Sequence, residues 1–117
     1  AVVSARSYSG GSAHGRFYLF HSSASGISTT LASAATRHIT GGASSDQFSA
    51  FAPVLSTDLN GDGYADLICG AGNASTGGQV YVFHSSSSGI AAAATSSAVT
   101  TITSATGGEY FGDKITN

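Results

Sequence analysis

The chain has 117 residues, including 16 glycines and one proline, with 9% charged residues and a formal net charge of −2. A chain of this length forms at most one domain, and its four Lys and Arg residues provide no basic surface for a nucleic-acid backbone. No apolar run is long enough to cross a membrane, so we expect neither nucleic acid nor membrane as a partner. Abundant Gly, Ser and Thr with few charges are typical of an all-β domain with many tight turns.

Short apolar stretches, separated by loops rich in Gly and Ser, predict strands throughout the chain. Eight strands are predicted, over residues 1–6, 15–20, 35–39, 48–56, 65–71, 79–84, 98–103 and 110–116. In the second of them, Phe17 and Leu19 share one face, while Tyr18 and Phe20 share the other. Both faces are apolar, so we expect this strand to lie inside a stack of sheets.

The strand series occurs twice, at an offset of 63 residues. The segment FHSSASGI at 20–27 recurs as FHSSSSGI at 83–90, and Phe48 recurs as Phe111. A fixed period of this size is typical of propellers, solenoids and arrays, and the strand-like alternation excludes helical repeats. Four antiparallel strands per unit predict the blades of a β-propeller, with about two blades in this chain.

The predicted units divide the chain into three parts. Residues 1–47 form a blade of three strands that lacks its inner strand, residues 48–109 form a complete blade, and residues 110–117 form the inner strand of the next. Because strand edges would remain unpaired, we expect a larger or oligomeric propeller. Its partners are other blades of the same chain or other copies arranged head to tail, as a ring or a filament, with 110–116 pairing with 1–6.

Three of the six acidic residues lie in the nine-residue stretch 58–66. Asp58, Asn60, Asp62 and Asp66 place an oxygen-bearing side chain at positions one, three, five and nine of this stretch. Such closely spaced carboxylates repel one another unless a cation lies between them. Calcium accepts a mixed set of carboxylate, amide and carbonyl oxygens, so the spacing predicts a Ca²⁺ site.

The stretch differs from an EF-hand. Position twelve, where that loop requires a Glu, is Cys69, and a strand-like apolar run follows Asp66 instead of a helix. We therefore expect a short calcium loop between two strands. Such a loop favours an extracellular or cell-surface location, where calcium is plentiful. Asn73 begins an Asn-Ala-Ser sequon and is a predicted glycosylation site if the protein is eukaryotic and secreted.

The chain resembles the FG-GAP repeat of integrin α-subunit propellers and of related secreted bacterial and fungal proteins. The matching elements are Phe48-Ser49 and Phe111-Gly112, the stretch 58–71, and the following strand 78–83. In the first of these pairs Ser49 replaces the Gly of the motif. The resemblance implies that the strand containing Phe48 is innermost in its blade. It also implies that Ca²⁺ is bound by the side chains of Asp58, Asn60, Asp62 and Asp66 and by the backbone carbonyl of Tyr64.

Nothing in the sequence marks a catalytic site, so we expect that the protein is not an enzyme. No Gly-x-Ser-x-Gly motif occurs. His21 and His84 follow the same strand in different blades, which favours a structural role over a shared metal. Asp46 and Glu109 lie in equivalent loops and are expected to stabilise them.

The expected function is that of a non-catalytic calcium-binding propeller module in extracellular adhesion or structural assembly, which presents loops to an extracellular protein or glycan. One alternative is a carbohydrate-binding, lectin-like propeller, with Tyr8 and Tyr110 available for stacking on sugars. Another alternative is an accessory propeller of a larger secreted enzyme.

Overall fold

The computed structural model places the chain in two antiparallel β-sheets. The structure describes residues 1–8, 15–21, 24–27, 31–43, 45–50, 54–75 and 77–116. His14, most of the loop predicted over 8–12, and residues 51–53 of the fourth predicted strand lie outside the described residues.

Within the described residues, seven strands make up the two sheets, and consecutive strands pair within each sheet. They are β1 (Val2–Ala5), β2 (Arg16–Leu19), β3 (Arg37–Thr40), β4 (Val54–Thr57), β5 (Asp66–Ala71), β6 (Gln79–Phe83) and β7 (Thr100–Thr103). The first sheet has the order β1-β2-β3 and the second β4-β5-β6-β7, and all pairings are antiparallel. The predicted all-β class is confirmed, and the described ranges contain no α-helix.

The two sheets repeat one local structure at the same offset of 63 residues. The single turns of 3-10 helix at Ala32–Ala34 and Thr95–Ser97 precede the last strand of each sheet, β3 and β7, at equivalent positions. The strands β2 and β3 recur as β6 and β7, each rich in the aromatic and β-branched residues that favour a pleated, half-buried surface. The internal repeat seen in the sequence is therefore a repeat of backbone structure.

The fourth strand is shorter than predicted. The expectation placed Phe48 inside a strand over 48–56, but β4 begins at Val54. Gln47 and Ser49 have φ of 55° and 62°, and this left-handed backbone turns the chain where a strand would need φ near −120°. Phe48 between them makes a single bridge to Ala71 of β5.

The same turn occurs in the second repeat. Tyr110 and Gly112 have φ of 53° and 97°, so residues 110–116 form a turn and irregular backbone rather than the expected strand. The offset of 63 residues explains the difference, because the counterpart of Val54 is Asn117. The segment 110–116 corresponds to the turn that leads into a strand, not to the strand itself.

The core lies between the two sheets and is centred on Phe48. Its ring makes edge contacts with Phe17 of β2 at 5.0 Å and with Tyr81 of β6 at 6.0 Å between centroids. The other buried apolar side chains of this cluster are Leu19, Ile39, Leu67, Cys69, Ala71, Ala74, Phe83 and Ile90. Each large side chain removed from water here contributes roughly 1.5–3 kcal/mol, so this inter-sheet contact is the main stabilising element.

A close backbone approach fixes where Phe48 sits. A Cβ on Gly15 would lie 1.9 Å from the carbonyl oxygen of Phe48, and Gly15 has φ of 70°. In the second sheet Gly78, with φ of 107°, approaches the carbonyl oxygen of Phe111 in the same way. Glycine is therefore required at both positions, and each Phe is held against the sheet that precedes it in the chain.

Candidate functional site

The loop 58–66 connects β4 to β5 and is organised around the carboxylate of Asp58. Its Oδ1 accepts hydrogen bonds from the backbone N–H groups of Gly61 at 2.7 Å and Asp62 at 3.1 Å, and its Oδ2 accepts one from Gly63 at 2.7 Å. Gly61 and Gly63 have φ of 80° and 87°. Residues without a Cβ adopt these values without strain, so the loop wraps tightly around one carboxylate.

Asn60 and Asp62 close the middle of the loop. The N–H of Asp62 donates to Oδ1 of Asn60 at 3.0 Å, and Nδ2 of Asn60 donates to Oδ2 of Asp62 at 3.0 Å. The N–H of Tyr64 donates to Oδ1 of Asp62 at 2.9 Å. Both N–H contacts join a side chain to the backbone two residues on, the usual device by which Asn and Asp stabilise turns.

Asp66 has a different position from the other acids of the loop. It is the first residue of β5 and is buried, with Oδ2 accepting the N–H of Leu59 at 2.9 Å and Oδ1 accepting the N–H of Ser85 at 2.8 Å. Hydrogen bonds from backbone N–H groups compensate the burial of a carboxylate. Asp66 thus ties the start of the loop to the segment that follows β6.

The electrostatics of the loop favour an ionised Asp58. The N–H of Gly63 is the main group that lowers the pKa of Asp58 below its ordinary value, and those of Gly61, Asp62 and Asn60 add to it against opposing desolvation. These donors favour the charged form because they point at the carboxylate. Asp58 therefore carries a full negative charge at neutral pH.

The predicted ligands fit calcium by the chemistry of their atoms. Asp58, Asn60 and Asp62 are brought together in one turn, and Asp58 and Asp62 contribute the hard oxygen atoms that calcium prefers. Asp58 Oδ1 accepts two N–H groups, whereas Asp58 Oδ2 and Asp62 Oδ1 accept one each. An oxygen that accepts one N–H keeps a second lone pair, so these two oxygens remain acceptors for a cation. Within the described residues, however, no three His, Cys, Asp or Glu side chains are grouped so that they could hold a metal. The two carboxylate oxygens of Asp66 each accept a hydrogen bond, from the N–H groups of Leu59 and Ser85.

The predicted glycosylation site lies in the turn after β5. Asn73 is exposed, its N–H donates to the carbonyl of Asp46 at 3.1 Å, and its Nδ2 donates to the carbonyl of Ser45 at 2.8 Å. The side-chain amide of this exposed residue is therefore engaged with the connection between β3 and β4.

The histidines outside the loop and Cys69 occupy positions that fit a structural role. The rings of His21 and His84 are exposed at equivalent positions, and that of His21 lies against Gly89. Desolvation, followed by the charge of Arg16, lowers the pKa of His38. Cys69 is fully buried, and burial raises the pKa of its thiol, so it is an unreactive packing residue.

A cavity beside the loop was not predicted from the sequence. It has a volume of about 380 Å³, and its lining includes Phe20, His21, Tyr64 and Ser86. Its lining combines aromatic, imidazole and hydroxyl groups. The residues come from segments far apart in the sequence, so no local motif could have indicated the cavity.

The comparisons with known proteins bear on this same region. Residues 54–83 match the family model of the FG-GAP repeat, which spans β4 to β6 and includes the loop 58–66. The resemblance inferred from the sequence is confirmed for this segment, which matches the FG-GAP repeat. No curated protein matches the chain. No helix among the described residues is long and apolar enough to span a bilayer.

Proposed function

We propose that this chain is a non-catalytic module of an extracellular β-propeller, stabilised by Ca²⁺ at 58–66 and used in adhesion or structural assembly. The FG-GAP match over 54–83 and the two antiparallel sheets packed face to face support a propeller of four-stranded blades. Its partners are further blades or copies of the same chain, together with an extracellular protein or glycan.

The observation that carries the calcium proposal is the folding of the loop around Asp58. Three backbone N–H groups hold this carboxylate in its ionised form, and Asn60 and Asp62 close over the same turn. A bound Ca²⁺ would be held by Asp58, Asn60, Asp62, Asp66 and the carbonyl of Tyr64. The cation would neutralise the clustered carboxylates and clamp the connection between β4 and β5.

The contacts of Asp46 and Glu109 support a non-catalytic role. Asp46 Oδ2 accepts the N–H of Ala43 at 2.9 Å, and Glu109 Oε2 accepts the hydroxyl of Ser104 at 2.5 Å. Both acids stabilise loops at equivalent positions of the repeat. A general acid or base would instead need to face a bound substrate.

Terbium luminescence tests the metal directly, because Tb³⁺ replaces Ca²⁺ and is excited by a nearby tyrosine. We expect sensitised emission from the wild type, displaced by calcium, with Tyr64 as the donor. Tyr64→Phe should lose the emission but keep a calcium-dependent rise in melting temperature, since the backbone carbonyl remains. Asp62→Ala should lose both responses, whereas the control Asp46→Ala should keep both.

The melting temperature in calcium and in chelator decides the proposal. A wild type that melts at the same temperature in both would refute a stabilising Ca²⁺ site. Emission that survives Asp62→Ala would place the metal elsewhere in the chain.

The cavity next to the loop favours one second candidate, a carbohydrate-binding propeller. An aromatic ring, an imidazole and serine hydroxyls around about 380 Å³ suit stacking on and hydrogen bonding to a sugar. Of the tyrosines considered from the sequence, Tyr8 is covered by the Arg16 guanidinium, 3.5 Å from its ring centre, whereas Tyr110 is exposed. A glycan array with wild type and Tyr64→Ala separates this candidate from adhesion to protein. The gene in full length would test an accessory role beside an enzyme.

A further inference from the structure

The outer face of the first sheet carries an apolar groove. It has a volume of about 360 Å³ and is lined mainly by Val3, Tyr18, Phe20, Ile27 and Leu31; we call it the outer groove. Val3 and Tyr18 are directly opposite each other in β1 and β2, so they share this face. Val3, Ile27 and Leu31 are 51%, 44% and 66% exposed.

The equivalent surface of the second sheet is covered. The counterparts of Tyr18, Phe20 and Ile27, 63 residues later, are Tyr81, Phe83 and Ile90. All three are buried against the first sheet, with Ile90 only 3% exposed. The repeat therefore shows what covers such a groove: the face of another unit that carries Phe48 and Ile39.

That covering face also occurs a second time. The counterparts of Phe48 and Ile39, both fully buried, are Phe111 and Ile102, which are 38% and 48% exposed. Ile102 lies opposite Val80 in β7 and β6, so it is on the outer side of the second sheet. We call Phe111, Ile102 and Val80 the Phe111 face.

The Phe111 segment is already held in place. The N–H of Phe111 donates to the carbonyl of Gly77 at 2.8 Å, its backbone lies against Gly78, and Gly112 lies against Gly70 and Val80. Gly78 of the second sheet thus contacts the backbone of Phe111 as Gly15 of the first sheet contacts that of Phe48. A surface fixed before binding loses less conformational entropy when a partner arrives.

We propose that the Phe111 face of one copy of this chain docks into the outer groove of a second copy. The contact repeats the inter-sheet contact within the chain: Phe111 takes the place of Phe48 and meets Tyr18 of the second copy as Phe48 meets Tyr81. Phe48 also bridges to Ala71, whose counterpart is Tyr8, so Phe111 reaches Tyr8 of the second copy. The proposal deepens the assembly role proposed above and depends on it.

The two contact surfaces differ from each other, so docking is heterologous and continues into a ring or a filament according to its rotation.

Complementation between variants tests this arrangement. Sedimentation velocity over a concentration series should show wild-type mass rising with concentration. Phe111→Asp and Ile27→Asp should each remain monomeric, because each loses one of the two surfaces. An equimolar mixture should form dimers and no larger species, because each variant keeps the surface that the other lacks.

Val99→Asp is the matched control. Val99 is 55% exposed, and its counterpart Thr36 is also exposed, so the position does not belong to the inter-sheet contact. This variant should assemble like the wild type. Circular dichroism and thermal melting of each variant check that the sheets are retained.

Three outcomes would overturn the proposal: a folded wild type that stays monomeric at every concentration, assembly that persists in both single variants, or a mixture that stays monomeric. A monomer would identify the occupant as a further repeat of a longer chain or a different protein. Terbium emission recorded on the same samples separates the two proposals, since a calcium-binding monomer refutes the docking alone.

Discussion

The first and second sheets are built from one 63-residue unit, yet they bury opposite faces. Phe48 is fully buried while its counterpart Phe111 is 38% exposed, and Ile90 is buried while its counterpart Ile27 is 44% exposed. The local backbone is the same on both sides, including the left-handed residues that flank each Phe. The comparison shows that a residue of this repeat is buried when another sheet packs against it. The local strand pattern alone does not determine whether the residue is buried.

The most severe test of this comparison is a matched pair of phenylalanine substitutions. Phe48→Ala should destabilise the fold by about 3–5 kcal/mol, because it removes the ring between Phe17 and Tyr81 and leaves a cavity. Phe111→Ala should cost only about 1 kcal/mol, since part of its surface is already in water. Urea denaturation at low protein concentration measures both. Equal losses would mean that the repeat position, not the neighbouring sheet, determines stability.

The acid at the start of β5 sharpens the comparison, because the first sheet has Val3 at the equivalent position. Asp66→Ala should destabilise the chain by about 2 kcal/mol, since the N–H groups of Leu59 and Ser85 lose a charged acceptor. Val3→Ala, at an exposed site, should change stability by less than about 0.5 kcal/mol. Both are measured by urea denaturation in chelator, so that any metal contribution is removed. If Asp66→Ala changed the free energy of unfolding only slightly, water would have replaced the carboxylate as the acceptor for these two N–H groups.

The repeat and the strand period were predictable from the sequence because they depend on local pattern. Phe17 and Leu19 on one face, and the all-β class, followed from alternation, and the structure bears them out. The extent of the fourth strand could not be predicted, because Gln47 and Ser49 adopt a left-handed backbone conformation. Neither residue type indicates that conformation in the sequence. Local pattern predicts a strand there, and the close approach of Gly15 to Phe48 overrides it.

For the candidate site, spacing grouped the right residues but could not assign their contacts. Asp58, Asn60 and Asp62 share one turn, as expected from positions one, three and five. That Asp66 binds the N–H of Ser85, 19 residues along the chain, depends on how β6 lies beside β5. Contacts of this kind are tertiary, and a motif within nine residues contains no information about them.

The loop itself exists once in this chain, and a glycine substitution tests how much its shape depends on backbone freedom. Gly63→Ala should destabilise the chain by about 1 kcal/mol, because φ is 87° and no neighbouring atom lies near the added methyl group. Gly42→Ala, where the backbone φ is not positive and a Cβ would make only ordinary contacts, should cost less. Thermal melts in calcium and in chelator measure both. If Gly63→Ala also weakens terbium emission, the loop shape is needed for the metal as well as for stability.

The smallest expected effect is the contribution of the Asp58 charge to stability at low pH. The sign of this contribution follows from the direction in which the pKa of Asp58 is shifted. Backbone N–H groups, Gly63 first, lower the folded-state pKa of Asp58 below its ordinary value of 3.8. A carboxyl whose pKa is lower in the folded state binds its proton more weakly there, so it stabilises the fold above pH 3.8. That contribution is lost as pH falls from 3.8 through the lowered value. Asp58→Asn should therefore remove part of the slope of melting temperature against pH in this window and leave the slope above pH 5 unchanged. An NMR titration that gives Asp58 an ordinary pKa in chelator would show that the N–H groups of the loop do not close on the carboxylate without a cation.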